Sequence, residues 1–397
     1  MIYIDVTGAC KSPKNTGIQR ITRHIFHRLA GNVPTTPICW NSLGNRYQRL
    51  GRRERDVLEQ PFQVLSRPTS RPEIRGEHFL AELHRQFFRK SVRLNGELKQ
   101  GDVLLLPDIY RDGRLRELPR VIAGTKARTV AIFHDAAALR LPMLYPKARP
   151  RFRAYVVSLA AFDFVICDSQ HSRAELLQLW SDFGTAPTET AVETLPVELT
   201  ATDGTEPLES PHVLIVCVGT FEPRKNHVTL LRAAEKLWES GLTFQLELIG
   251  RSTGYFGHKV IAEVRRLRRA RRAVRWSKHV NDQTLHRAYR ECRFTVYPSL
   301  MEGFGLPIAE SLLHAKPCVC GGNGALGEVA RGGGCVIVDQ TSVDALAEGI
   351  RTLLLDRQLY ARLSDEARAR KFRSWSDYIE KFMTHLEPAG TVALTSH

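Results

Sequence analysis

The chain has 397 residues, of which 43% are hydrophobic and 25% are charged. This length and composition exclude disordered, collagen-like and disulfide-scaffold proteins, and they favour a soluble globular chain of two domains. Lys and Arg outnumber Asp and Glu by 57 to 42, a net charge of +15, which favours anionic partners and says nothing about the fold.

Short apolar runs alternate with segments of helical period along the first half of the chain. The predicted strands there are Ile2–Val6, Val103–Leu106, Val130–Phe133 and Phe164–Cys167, and the predicted helices are Gly17–Leu29 and Ser169–Trp180. The segment Thr200–Pro211 is polar and contains Gly and Pro. Such a composition predicts a linker between two domains.

The second half shows the same alternation more clearly. The predicted strands are Val213–Val218, Phe244–Ile249, Phe294–Tyr297, Pro317–Cys320 and Cys335–Val338, and the predicted helices include His227–Ser240, Pro307–Ala315 and Val343–Leu355. Apolar runs of this length are typical of buried parallel strands wound with helices. We therefore predict an α/β fold with two Rossmann-like, doubly wound domains, residues 1–205 and 206–397, facing each other across a ligand cleft.

The eight cysteines lie largely in apolar runs, as is typical of small buried side chains in a reducing compartment. The start of the chain lacks the layout of a signal peptide, and no apolar segment approaches the ~20 residues that a membrane helix needs. We therefore expect a cytoplasmic protein. Cys318 and Cys320 have no second pair to complete a zinc site, so we expect no bound metal there.

The loop after the strand Val213–Val218 carries two adjacent cations. It runs Gly219-Thr-Phe-Glu-Pro-Arg224-Lys225-Asn226 and leads into a predicted helix. Backbone amides and the helix dipole favour an anion at such a position, and an Arg can fork two phosphate oxygens. Taken alone, this pattern is more often a solvated Arg-Lys pair on a turn than a phosphate site, and both interpretations stay open at this point.

The loop after Phe294–Tyr297 carries two carboxylates around a glycine-rich turn. Glu302 precedes Gly303 and Gly305, and Glu310 lies about one turn into the predicted helix. Glycines allow a ligand to approach the backbone closely, and carboxylates accept hydrogen bonds from hydroxyl groups. The arrangement suits a sugar nucleotide, with ordinary helix capping beside a surface Glu as the alternative.

Glu302 and Glu310 form an E-x₇-E pair within EGFGLPIAE, downstream of VGTFEPRKN. Together these motifs resemble the retaining GT-B glycosyltransferases of family 4, also called glycosyltransferase group 1. The segments NTGIQRITRHI and IFHDAAALRLPMLYP are similar to bacterial O-antigen mannosyl- and rhamnosyltransferases. The resemblance is strong over residues 212–340 and patchy over 35–125. It implies the GT-B fold, with a last helix at about residues 372–388 that packs on the first domain.

The resemblance also implies roles for individual residues. It assigns Arg224 and Lys225 to the donor diphosphate, Glu310 to the ribose hydroxyls and Glu302 to the transferred sugar. His134 would lie across the cleft near the sugar and the acceptor, and it completes the predicted catalytic set of Glu302, Arg224 and Lys225. The other donor-binding residues that it implies are Gly17, Gly219, Arg251, Val280, Gly303, Phe304, Gly305 and Leu306.

This chain departs from the family at Thr220, where many members have an Arg directly after Val-Gly. Its Arg instead stands beside the Lys. No D-x-D motif occurs near these loops, so the two cations and the helix N-termini are predicted to replace a metal at the leaving diphosphate. We expect no cofactor, and the resemblance implies retention of the anomeric configuration.

The implied donor is a nucleotide sugar. GDP-mannose is the first choice, and a rhamnose or other deoxysugar nucleotide is the alternative. The implied acceptor is a glycan or a lipid-linked glycan in bacterial surface-polysaccharide synthesis, and no nucleic acid is expected as a partner. Two other functions stay open, namely a non-hydrolysing sugar-nucleotide epimerase and a non-enzymatic polyanion-binding protein.

Two basic segments raise the question of a membrane surface. The first is an Arg run on a predicted helix, made of Arg265, Arg266, Arg268, Arg269, Arg271, Arg272 and Arg275. The second is Phe79–Leu94, which combines apolar and basic residues in the way that an amphipathic helix does. Each fits either a solvated or packed helix or a helix that contacts anionic lipid. An anionic membrane surface is therefore a candidate partner, and a peripheral position at the inner face of the cell membrane is the alternative to a purely cytoplasmic location.

Overall fold

The computed structural model describes residues 1–11, 16–59, 91–198, 212–252, 254–278 and 280–387. The predicted linker Thr200–Pro211 and the predicted domain boundary between residues 205 and 206 lie outside these residues. The basic segment Phe79–Leu94 lies outside them up to residue 90. Its last residues include the short strand Ser91–Val92, so the predicted helix does not continue there.

Eight strands form one sheet in the described part of the first half. They are β1 (Ile2–Asp5), β2 (Thr35–Asn41), β3 (Arg46–Arg49), β4 (Ser91–Val92), β5 (Val103–Leu106), β6 (Arg128–Phe133), β7 (Phe164–Cys167) and β8 (Glu189–Val192). Their order is β4-β3-β2-β1-β5-β6-β7-β8. All neighbours are parallel except β2 with β3 and β3 with β4.

Helices cover both faces of this first sheet. They are α1 (Thr7–Cys10), α2 (Gly17–Asn32), α3 (Arg52–Glu59), α4 (Leu94–Glu97), α5 (Arg114–Gly124), α6 (Ala137–Arg140), α7 (Arg149–Leu159) and α8 (Gln170–Asp182). Alternate residues of a strand point to opposite faces. Ile4 and Ile132 accordingly pack with α2, whereas Leu104 and Phe133 pack with α7 and α8.

The second half forms a six-stranded parallel sheet, counted over its described residues. Its strands are β9 (Leu214–Val218), β10 (Gln245–Ile249), β11 (Val274–Ser277), β12 (Phe294–Tyr297), β13 (Cys318–Gly321) and β14 (Cys335–Val338). Their order is β11-β10-β9-β12-β13-β14. The strand order reverses between β9 and β12, and ligands of such sheets bind outside the carboxyl ends of the strands at this switch point.

The helices of the second half connect these parallel strands and continue to the end of the described chain. They are α9 (His227–Glu239), α10 (Gly254–Arg269), α11 (Asp282–Glu291), α12 (Leu306–Leu313), α13 (Gly324–Ala330), α14 (Val343–Leu355), α15 (Arg357–Ala369) and α16 (Trp375–Leu386). The predicted α/β class is confirmed, and the predicted strands are present with ends shifted by a residue or two.

The last helix returns to the first domain, as predicted. Trp375, Tyr378 and Phe382 of α16 are buried in the cluster that holds Ile4 and Ile25. A carboxylate fixes this docking, because Glu193 of the first domain pairs with Arg373 and lies 2.7 Å from His385 Nε2. The crossing helix therefore ties the end of the chain to the first sheet.

The arginine run is partly paired on the surface. Arg266 forms ion pairs with Glu235 and Glu263, and Arg275 pairs with Glu247, whereas Arg265 and Arg269 are exposed.

All eight cysteines are free, and all except Cys335 are buried. Across the described ranges, no helix combines the length and apolarity that crossing a membrane requires.

Candidate active site

Two loops meet at the switch point of the second sheet. The loop after β9 carries Arg224 and Lys225 on a 3₁₀ turn, and the loop after β12 carries Glu302. Arg224 Nη1 donates to Glu302 Oε2 at 2.7 Å, and Lys225 Nζ donates to Glu302 Oε1 at 2.6 Å. The two predicted cations and the predicted carboxylate therefore form one ion-pair cluster.

Glu302 is 8% exposed and is held by further donors. Tyr297 Oη donates to its Oε1 at 2.8 Å, and Ser299 Oγ donates to the same oxygen at 2.5 Å. Burial alone would raise the pKa of Glu302, but the charges of Arg224 and Lys225 outweigh it and lower that pKa to about 2. The carboxylate is therefore ionised and fixes both cations in place.

The two cations respond differently to this environment. Burial lowers the pKa of Lys225 despite the nearby Glu302. Burial acts in the same direction on Arg224, but the carboxylates of Glu302 and Asp135 outweigh it and raise its pKa well above the usual value. Asp135 belongs to the first domain, and its Oδ2 lies 3.7 Å from Arg224 Nη1. Arg224 is thus a permanent charge at the boundary between the two domains.

The glycine turn before α12 lies directly against the first domain. Gly305 caps the helix with φ 116°, a left-handed conformation that favours glycine. A Cβ atom on Gly303 would overlap the backbone carbonyl of His134, so only glycine fits there. Ser172 Oγ lies 2.9 Å from the His134 carbonyl oxygen and 3.0 Å from that of Gly303. Phe304 also packs against apolar clusters of both domains.

Glu310 lies on α12 and is paired with a residue that the sequence analysis did not single out. Arg20 Nη2, from α2 of the first domain, donates to Glu310 Oε1 at 2.5 Å. Tyr289 Oη, from α11, donates to Glu310 Oε2 at 2.9 Å. The carboxylate predicted to bind ribose is therefore oriented by one donor from each domain.

His134 lies at the carboxyl end of β6, and both of its ring nitrogens are engaged within the first domain. Nδ1 lies 2.7 Å from Asp168 Oδ2, and Nε2 lies 2.8 Å from the carbonyl oxygen of Pro107. Burial lowers its pKa, but Asp168 and Pro107 outweigh burial and raise it to about 9. The ring is a buried imidazolium that donates to both partners, whereas its backbone carbonyl lies at the cleft. Its contact with the sugar stays a prediction.

This pairing gives an expected pH dependence of stability. The pKa of His134 is about 9 in the folded chain and ~6.5 in an unfolded one. The pair therefore stabilises the fold fully below pH ~6.5, and its contribution of about 3 kcal/mol is lost as the pH rises through about 9. Denaturant unfolding at pH 6.5 and 9.5 measures this loss.

The matched comparison is His134→Gln, which has no titrating ring at this position. Groups that do not contact position 134 titrate equally in both proteins, so the difference between their pH profiles reports on His134 together with its partner Asp168. The wild-type free energy of unfolding should fall more steeply with pH than that of the variant. Parallel profiles would show that His134 is not protonated in the folded chain.

Four predicted donor-binding residues lie at the neighbouring strand and helix ends. Gly17 begins α2, and a Cβ atom there would lie 3.9 Å from Leu306 Cδ1 across the cleft. Gly219 directly follows β9 and lies beside Lys225. Arg251 follows β10, and its carbonyl accepts from Phe221 N at 2.7 Å. Val280 precedes α11 and packs with the apolar cluster at the edge of β9.

These placements separate the predicted residues into two groups. Arg224, Lys225 and Glu302 share one cluster, and residues 303–306 join it to Gly17 and to the His134 backbone. Within the described residues, no hydrogen bond joins Arg251 or Val280 to that cluster. Their roles in binding the donor stay predictions.

The sequence of the second half matches a known family. Residues 203–370 match the family Glycosyl transferases group 1, and this range carries both cations and both carboxylates of the site. The second half of the chain contains a glycosyl transferases group 1 domain.

Two Escherichia coli proteins are similar to parts of the chain. O-antigen chain mannosyltransferase B is 31% identical over 244 residues, which are 58% of this chain and 62% of that protein. Serotype-specific mannosyltransferase WbdA is 31% identical over 104 residues, which are 26% of this chain and 13% of that protein. The chain therefore spans less than two thirds of the length of either relative.

Solved structures extend the likeness across both domains. Sucrose-phosphate synthase from Thermosynechococcus elongatus superposes with a TM-score of 0.67 at 14% identity, covering 97% of both chains. Anabaena HepE in complex with UDP-glucose superposes with a TM-score of 0.66 at 16% identity, covering 97% of this chain and 98% of that one. The chain has the GT-B fold, with the glycosyl transferases group 1 domain as its second half.

The sequence analysis did not predict several side chains that lie at the cleft between the two domains. Tyr297 and Ser299 flank the end of β12 and reach Glu302, and Arg20 and Ser172 reach the domain from the other side of the cleft. Arg20 lies three residues after Gly17, on the same helix face, so the NTGIQR motif held a signal for it. Ser172 was not predicted as a site residue, because its partners lie 38 and 131 residues away.

Proposed function

We propose that the chain is a retaining mannosyltransferase. It moves the hexose of GDP-mannose to a glycan or lipid-linked glycan acceptor in bacterial surface-polysaccharide synthesis. The observation that carries this proposal is the cluster of Arg224, Lys225 and Glu302 beside the start of α12. The mannosyltransferases of Escherichia coli that are 31% identical to parts of the chain support the choice of sugar.

The cluster suits the departure of a nucleoside diphosphate. Bond cleavage develops negative charge on the diphosphate, and preorganised donors stabilise that charge most when they are desolvated. Arg224 and Lys225 supply two cations, and the first turn of α12 supplies amides without partners inside the helix. The incoming diphosphate would take over cations that Glu302 holds in the ligand-free chain.

Glu302 then faces the sugar rather than acting as a base. The transferred sugar becomes positive as its bond to the diphosphate breaks, and a fixed carboxylate beside it lowers the energy of that state. We propose that the acceptor attacks from the same face and that a phosphate oxygen takes its proton. This mechanism retains the configuration and needs no separate general base.

The proposed donor assigns further roles around the cluster. Glu310 accepts hydrogen bonds from the ribose hydroxyls, Val280 borders the base, and Gly17 approaches the diphosphate from the first domain. His134 lies near the sugar and the acceptor. We propose that the reaction needs no metal, and contact of the exposed arginines of α10 with an anionic membrane surface is also a proposal.

A thermal-shift panel of nucleoside diphosphates tests the choice of donor. A ligand that binds only the folded state stabilises it by about 2.7 kcal/mol at a concentration 100 times Kd. At equal concentrations, GDP should therefore raise the melting temperature more than UDP, ADP, CDP or dTDP. A larger shift with dTDP or UDP would contradict GDP-mannose as the donor and favour a deoxysugar or glucose donor. If none of the five nucleotides raised the melting temperature, the proposal of a nucleotide-sugar donor would be contradicted.

A further inference from the structure

The first domain places one cation inside the predicted donor site. Helix α2 begins at Gly17 beside Leu306, and its start is held by a capping box between Thr16 and Gln19. Gln19 Nε2 also donates to the carbonyl oxygen of Gly8 at 2.9 Å. Arg20 follows in the first turn, so the rigid start of this helix sets its position across the cleft.

Arg20 forms a close ion pair with a carboxylate of the other domain. Its Nη2 lies 2.5 Å from Glu310 Oε1, and the side chains of Arg20 and Glu310 are 27% and 9% exposed. Burial lowers the pKa of Arg20, but the charge and hydrogen bond of Glu310 outweigh burial and raise it. The guanidinium therefore remains charged between the two domains.

The ion pair does not use up the acceptor capacity of Glu310. Arg20 donates to Oε1 and Tyr289 donates to Oε2, and each carboxylate oxygen has two lone-pair directions. One acceptor direction per oxygen is left, which matches the two vicinal hydroxyls of a ribose. The two protein donors also fix the plane of the carboxylate before any ligand arrives.

We propose that Arg20 is a positioning residue that couples closure of the two domains to recognition of the ribose. This inference rests on the proposed function, in which Glu310 binds the ribose hydroxyls. Tyr289 and Glu310 lie in the same domain, but Arg20 reaches Glu310 only when α2 and α12 lie side by side. Glu310 is therefore fully oriented only in the closed cleft, where both hydroxyls can be bound at once.

The chain offers a matched control on the same helix. Arg28, two turns after Arg20, forms an ion pair with Glu198 at 3.2 Å, and these side chains are 39% and 34% exposed. Its loss removes one arginine and one ion pair from α2 without touching the donor site. Arg20→Leu, Arg20→Lys and Arg28→Leu therefore separate positioning of Glu310 from a general effect on α2.

The measurement is the ratio of dissociation constants for 2′,3′-dideoxy-GDP and GDP, determined by calorimetry on the full chain. If another nucleoside diphosphate gives the largest thermal shift, it and its dideoxy form replace these probes. The wild-type protein should prefer the ribonucleotide by at least about tenfold, because hydrogen bonds to a charged acceptor are lost in the dideoxy form. Arg20→Leu should reduce this ratio at least about threefold, while Arg20→Lys and Arg28→Leu should stay near the wild-type ratio.

Each other outcome has a defined meaning. If Glu310→Gln abolishes the preference and Arg20→Leu leaves it intact, the positioning role of Arg20 is contradicted while the proposed role of Glu310 stands. If Arg20→Leu weakens both probes equally, Arg20 is a purely structural residue and the inference is again contradicted. If Glu310→Gln keeps the wild-type preference, the ribose assignment itself is wrong, and the inference is wrong with it.

Discussion

Glu302→Gln should lower kcat for sugar transfer by about 100- to 1000-fold, the range found when one preorganised electrostatic group is removed from an active site. The substitution removes the negative charge that faces the developing positive charge on the sugar. It also removes the group that holds Arg224 and Lys225 at 2.7 and 2.6 Å. Binding of free nucleoside diphosphate should persist, because the diphosphate supplies its own negative charge to both cations.

Steady-state kinetics, the Kd for GDP and the melting temperature together test this expectation. The control is Glu222→Gln, which neutralises a carboxylate 3.5 Å from Arg224 Nε that is half-buried rather than buried. It should leave kcat within about threefold of the wild-type value. Full kcat in Glu302→Gln would show that the proposed role at the sugar is wrong. A loss of kcat that merely follows a loss of folded protein would indicate a structural role.

Arg224→Ala should weaken donor binding by about 10- to 150-fold, or 1.5–3 kcal/mol, the usual value of a hydrogen bond to a charged group. Arg224 keeps its proton, donates hydrogen bonds to Glu302 and to the carbonyl oxygen of Met301, and lies 3.7 Å from Asp135. Its loss should also destabilise the ligand-free fold by about 1–3 kcal/mol, because among the described residues Glu302 would be left with Lys225 as its one remaining cationic partner.

Comparison of GDP with GMP sharpens this second test. The proposed contact is to the diphosphate, so Arg224→Ala should weaken GDP binding more than GMP binding. Arg287→Ala is the control, because it removes an exposed guanidinium of the same domain that pairs with Glu291. Near-normal kinetics for Arg224→Ala would contradict the phosphate assignment. Equal losses of GDP and GMP binding would contradict the proposed contact with the diphosphate.

The sequence predicted the sheets well where burial dominates. β5, β7 and β12 match the predicted strands residue for residue, because a strand buried between two helical layers is apolar on both faces. β2 was not predicted, and neither were β3 and the edge strands β4 and β11. They contain residues such as Arg46, Ser91 and Arg275, and short polar runs of this kind carry little periodic signal.

The site was predictable where its residues follow neighbouring strands of one sheet. Arg224 and Lys225 follow one strand, and Glu302 follows its spatial neighbour, so the rule for parallel sheets brings these loops together. The Arg20–Glu310 pair spans 290 residues and depends on how the domains dock. No spacing pattern within either half encodes that contact.

His134 shows the same limit in a second way. The segment IFHDAAALRLPMLYP pointed to His134 as a site residue, but Asp168 and Pro107 bind both of its ring nitrogens from 34 and 27 residues away. A sequence motif identifies a residue type near a strand end without revealing which partners satisfy it. The protonation of His134 therefore emerges from the three-dimensional arrangement alone.

The central claim is that the Arg224–Lys225–Glu302 cluster releases a nucleoside diphosphate from a nucleotide sugar without metal help. The most direct test is to incubate the full chain with GDP-mannose in EDTA and to quantify GDP and the sugar products. The account predicts GDP release by the wild-type protein and a large reduction in Arg224→Ala. The account would be contradicted if GDP release needed added Mg²⁺ or Mn²⁺, or if the donor were converted to an epimer with no free GDP. It would also be contradicted if the protein turned over neither GDP-mannose nor any deoxysugar nucleotide.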